Sequence, residues 1–253
     1  MVVGVFLDFQ WGEQVGDQAG KPIEFFPPYV AILALVVLGA GVCLLVPTSW
    51  LVGSGLLLGA AAASTEGLFT LVLYPMDEAG GFAVGYRALV AAHLVLLLAA
   101  GVAGVALARS GEAHIRRRAP TGQLPWLMIL LGAAGAVALL FHVVRIATTV
   151  DYPGRWVAHS VWLTILVVTL PVVASAVMPP RLGAALLLGW VGGGAAVFVD
   201  FLAYANLQVS NGSFDIGRTS ILLCGLTLLP LLVVGVLYAR AGQAAPSHPA
   251  VPR

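Results

Sequence analysis

Apolar positions are grouped in long runs separated by short polar links. A spanning helix needs about 20 mostly apolar residues, and seven segments meet that requirement: Tyr29–Pro47, Trp50–Leu73, Tyr86–Ala108, Leu124–Thr148, Val157–Met178, Leu182–Asn206 and Thr219–Arg240. The links carry turn chemistry, as in Pro47-Thr48-Ser49, Asp151-Tyr152-Pro153-Gly154, Pro179-Pro180-Arg181 and Asn211-Gly212-Ser213. The expected fold class is all-α, a polytopic integral membrane bundle of seven helices. Residues 1–28 form a segment outside the cytoplasm, 29–240 the membrane domain and 241–253 a disordered, proline-containing cytoplasmic tail. Met1–Leu7 is apolar but too short to span. It predicts an interfacial stretch, or a chain whose start omits an eighth helix. No secretory signal peptide is read, because the first ten residues lack a basic start.

Composition strengthens the membrane reading. Of 253 residues, 60% are hydrophobic and only 9% charged, with mean hydropathy +1.00. A soluble domain runs near 45–50% apolar and about 25% charged. This balance excludes a soluble enzyme, a nucleic-acid binder, a disordered chain and a secreted disulfide scaffold. The two cysteines, Cys43 and Cys224, each lie inside an apolar run and form no pair.

Net charge is only +1, but its distribution sets an orientation through the positive-inside rule. The link around Arg109, Arg116, Arg117 and Arg118 carries a single acid, Glu112. With alternation, Arg181, Arg240 and Arg253 join it on the cytoplasmic side. The other side holds Asp8, Glu13, Asp17, Glu24, Asp77, Glu78, Asp151 and Asp215 against Lys21, Arg155 and Arg218. The expected topology is therefore N-terminus outside and C-terminus inside, in the plasma membrane. The Arg116–Arg118 run reads first as a topology signal and second as a contact for anionic lipid headgroups. Arginine exceeds lysine by 11 to 1, in a background rich in Ala, Gly and Val. That bias points to a GC-rich bacterial genome, where the Asn211-Gly212-Ser213 sequon carries no weight.

Small residues four apart let helices approach closely. Such pairs occur at Gly55/Gly59, Ala60/Ser64, Ala100/Gly104, Gly132/Ala136 and Gly189/Gly193. They predict packing within the bundle, with a homodimer face as the alternative. Pro171 and Pro230 predict kinks in the fifth and seventh helices, and Gly192-Gly193-Gly194 a weak point in the sixth.

Ionisable groups inside a bilayer are costly, and each one raises a functional hypothesis. They are Glu66 on the second segment, His93 on the third, His142 and Arg145 on the fourth, His159 on the fifth and Asp200 on the sixth. Glu66 lies about 12 Å inside its outer end, His93 about 10 Å and His142 about 9 Å. All six fall in the outer half, and the inner half has essentially none. Thr70 and Tyr74 share a face with Glu66, Tyr204 shares one with Asp200, and His142 shares one with Arg145. Together these predict a polar pocket open to the outside, built from Glu66, His93, His142, Arg145 and Asp200. Thr70, Tyr74, His159 and Tyr204 play a secondary part. The plain alternatives are a structural ion pair for Arg145 with Glu66 or Asp200, hydrogen-bonded core histidines, and headgroup contacts for Arg145 and His159.

Three functions compete. The first is binding or transport of an ion or small polar solute, coupled to protons through carboxylates and histidines. The second is a non-catalytic accessory or assembly subunit of a membrane complex, with a protein partner. The third is a redox protein in which His93, His142 and His159 hold a haem or metal; outside that reading no cofactor is expected. No catalytic residue is assigned. Lys21, the single lysine, lies outside the last helix and excludes a retinal Schiff base there. No HExxH or HxxxH pair, Walker motif or dinucleotide fingerprint occurs. Gly53-Ser54-Gly55 only loosely echoes a serine-protease motif and lies far from the histidines.

Overall fold

The computed structural model describes residues 27–46, 49–73, 84–109, 122–149, 154–209 and 215–244. Among them are seven α-helices: α1 Pro27–Leu45, α2 Trp50–Leu73, α3 Val84–Arg109, α4 Gln123–Thr149, α5 Gly154–Val172, α6 Pro180–Val209 and α7 Asp215–Ala244. Each coincides with one apolar run. Three stretches, Val90–Arg109, Gln123–Phe141 and Ser160–Val177, are long and apolar enough to cross a membrane. Shorter apolar stretches lie at Ala34–Cys43, Trp50–Thr65 and Gly225–Ala241.

The helix ends follow local chemistry. Pro180 opens α6, where its missing N–H costs no helical bond, and Gly183 N donates to Pro179 O at 2.9 Å. The fifth run is not one α-helix. It passes at Val173 into a π turn, Val173–Val177, closed by Met178 N on Val173 O at 3.1 Å. Pro171, just before it, has no N–H and leaves the Val167 carbonyl without its helical donor. Helix α7 runs through Pro230 as one element, and α6 is continuous across Gly192-Gly193-Gly194. Helix α7 also continues to Ala244, past its expected end at Arg240.

The centre of the bundle is the α2–α6 pair. A methyl group on Gly55 would lie 2.7 Å from both Leu182 O and Ala185 Cβ. One turn later, a methyl on Gly59 would meet Leu186 O and lie 2.6 Å from Trp190 N. Gly189 makes the reciprocal approach to Leu56 O. A step along α2 therefore matches a step along α6 in the same sense, and the two helices run parallel. The other contacts reverse direction. On α1, Gly39 meets Leu57 and Gly53, and Cys43 meets Gly53 and Trp50. Gly132 of α4 faces Val167 O and Pro171 of α5. Gly235 of α7 faces Leu187 and Ala184 of α6. Thus α1, α5 and α7 run one way, and α2, α4 and α6 the other. Helix α3 packs on α2 alone among the more extensive helix pairs.

The interior is small and dense. Ala60, Ala63, Met128, Ala174, Leu187 and Leu231 are fully buried, and so is Ser64. Large apolar side chains face outwards, including Leu45 at 82% exposure, Leu98 at 71% and Val102 at 70%. In water such a surface would drive association; small residues inside and bulky apolar ones outside suit a lipid solvent.

Candidate functional site

Close helix packing fixes the height of each candidate residue. From the Gly59–Gly189 approach, Glu66 lies further along α2, and Asp200 further along parallel α6. Asp200 lies about 6 Å beyond Glu66 along the axis, at 1.5 Å per residue. From the Gly132–Val167 approach, His142 lies roughly 15 Å towards the same end, and His159 on antiparallel α5 falls at about that height. Arg145 follows His142 by one turn. A cross-link ties the two sets together: Trp162 Nε1 of α5 donates to Thr65 Oγ1 of α2 at 2.9 Å. The bundle therefore carries the helix positions of Glu66, His142, Arg145, His159 and Asp200 towards one end. Their side chains lie outside the described residues, as do those of Thr70 and Tyr204, and Tyr74 lies outside them altogether.

His93 is the candidate whose side chain is described. It is 0% exposed. Leu96, Ala100 and Leu107 are buried on the same stripe of α3, which is the face α3 turns to α2. An imidazole in such a stripe forgoes the apolar contact a leucine would make there. The position is thus expensive to occupy with a polar ring.

Sequence reasoning missed the polar seam that borders Glu66. Besides accepting from Trp162, Thr65 Oγ1 donates to Ala62 O at 2.7 Å, and Ser64 Oγ donates to Ala61 O at 2.9 Å. Ser160, two residues before Trp162 on α5, is buried, and Thr164 Oγ1 donates to its carbonyl at 2.8 Å. A signal was available: an indole N–H in an apolar helix needs an acceptor, and Thr65 adjoins the only carboxylate of its segment.

The opposite end closes differently. There Leu182, Leu187, Met128 and Leu231 are buried together with Pro171. The polar contacts at that end join neighbouring helices. Tyr238 Oη donates to Ser175 O at 3.2 Å, and Cys43 Sγ lies 3.6 Å from Trp50 O and 3.8 Å from Ser54 Oγ. Among the described residues no three His, Cys, Asp or Glu side chains gather as a metal site; His142 and His159 fall outside that set.

The small-residue pairs divide. Those of α2, α4 and α6 are used within the chain. The α3 pair is used in part: Ala100 is buried, but a methyl on Gly104 would meet nothing within 4 Å.

No protein-family model, curated protein or solved structure matches this chain.

Proposed function

We propose that the chain is a seven-span plasma-membrane protein, N-terminus outside and C-terminus inside, that binds and moves an ion or small polar solute. The binding pocket is formed by Glu66, His93, His142, Arg145 and Asp200, and opens to the outside. The observation that carries this reading is positional. In a bundle whose helices alternate in direction, the ionisable residues of α2, α4, α5 and α6 lie towards one end, while the other closes on apolar and small side chains. Charged groups in an apolar bundle persist where they meet partners, water or a ligand. Carboxylates beside histidines exchange protons near neutral pH, which suits proton coupling. The Thr65–Trp162 bond supports the same site, because it pins the α2–α5 contact next to Glu66.

The α2–α6 seam is the natural pivot for opening the other end. There the glycines bring the two backbones together. The test is flux into proteoliposomes, screened over monovalent cations, protons and small organic anions. Wild-type protein should move one class of solute, and Glu66→Gln and Asp200→Asn should abolish the movement while leaving the thermal transition in place. Unchanged flux in both variants would refute the pocket. Stoichiometric capture of a second membrane protein, with no flux, would instead favour an accessory role.

A further inference from the structure

We propose that the outer face of α3 is a binding groove for one acyl chain of an anionic glycerophospholipid whose headgroup phosphate sits on Arg109. The proposal rests on the membrane reading given above. The described residues of this shallow groove include Leu98, Gly101, Val102 and Val105, with Arg109 at its end. These positions lie opposite the stripe of His93, Leu96, Ala100 and Leu107 that packs on α2. Leu98 and Val102 are about 70% exposed. A methyl on Gly101 would meet nothing within 4 Å, so the glycine leaves a notch between the flanking Leu98 and Val105.

Two features select the occupant. The first is length. Leu98 to Arg109 spans about 16 Å of helix, close to the ~15 Å of one leaflet's hydrocarbon. An acyl chain lying along the groove thus brings its headgroup to the guanidinium. The second is charge. Among its described residues the groove is apolar along its length and has a cation at the end where a headgroup must lie. The C-terminal carbonyls of α3 carry partial negative charge, so among the described residues of the groove Arg109 is the group that attracts a phosphate there. A zwitterionic lipid adds a cation that this end does not need, and a second copy of the chain would set Arg109 beside another like charge.

Native mass spectrometry of the full chain released from detergent tests this, with phosphatidylglycerol or phosphatidylcholine added in separate titrations. Wild-type protein should retain one phosphatidylglycerol in preference to phosphatidylcholine. Arg109→Gln should lower that retention roughly fivefold, the weight of one basic residue at an anionic surface. Gly101→Leu, which fills the notch, should remove it. A second groove filler, Val105→Trp, checks the same point, and thermal transitions of all variants verify folding. Equal retention of both lipids, or retention unaffected by either filler, overturns the proposal. So does a dimer that Gly101→Leu disperses, which would make this face an interface between copies. Recovery of the chain in the soluble fraction without detergent would instead overturn the membrane reading itself.

Discussion

Replacing Gly59 with alanine tests the central packing claim most directly. The added methyl would meet Leu186 O and lie 2.6 Å from Trp190 N and 2.9 Å from the Gly189 carbonyl carbon. All three are backbone atoms of a helix, so no side chain can rotate away. Helices α2 and α6 must separate, and every contact along the seam then loosens. Overpacking of this kind costs about 1–3 kcal/mol, and the backbone nature of the clash puts Gly59→Ala towards the upper value. For a chain of this size that corresponds to roughly 3–9 °C in Tm. Gly189→Ala should cost a similar amount, since its methyl would meet Leu56 O. The double variant should cost less than the sum, because the first methyl has already parted the helices. Gly101→Ala and Gly104→Ala are the controls. Their methyls meet nothing within 4 Å, and they should be neutral or stabilising by up to about 1 kcal/mol through backbone entropy. Thermal unfolding in one detergent, followed by helical circular dichroism, reads all five variants. Equal stability of Gly59→Ala and Gly101→Ala would refute the parallel α2–α6 seam.

Other outcomes follow from named contacts. Trp162→Phe removes the indole donor to Thr65 and should cost about 0.6–1.7 kcal/mol; a double-mutant cycle with Thr65→Val, read by the same unfolding assay, should show coupling, and strict additivity would remove the cross-link from the argument. Tyr238→Phe loses only the bond to Ser175 O and should lower stability by about 0.5–1.5 kcal/mol, while leaving flux unchanged. A green fluorescent protein fused after Ala244 should fluoresce, and alkaline phosphatase at that site should be inactive; the reverse pattern would invert the orientation. His93→Leu should impair flux while leaving the helical circular dichroism unchanged; full flux would reduce His93 to a core residue.

Much of the architecture is determined by the sequence alone, and for a simple reason. Backbone groups in an apolar medium must bond within their own segment, so each long apolar run has one outcome, and the seven runs appear as α1 to α7. The ionisable residues are equally legible as exceptions, since each interrupts an apolar stretch. Counting residues between links further leads to the expectation that they share one end. What the sequence leaves open is pairing. The five pairs of small residues four apart lie on four of the runs, and that spacing is the same whether a helix meets its neighbour, a distant helix or lipid. Only the three-dimensional arrangement decides that Gly55 and Gly59 meet Gly189, and that Gly132 meets Val167 and Pro171. It likewise decides that Gly104 meets nothing, and that Trp162 on α5 finds Thr65. Close approach depends on two surfaces at once. A motif on one helix records only half of that fit, and its partner is chosen by the packing of the whole bundle.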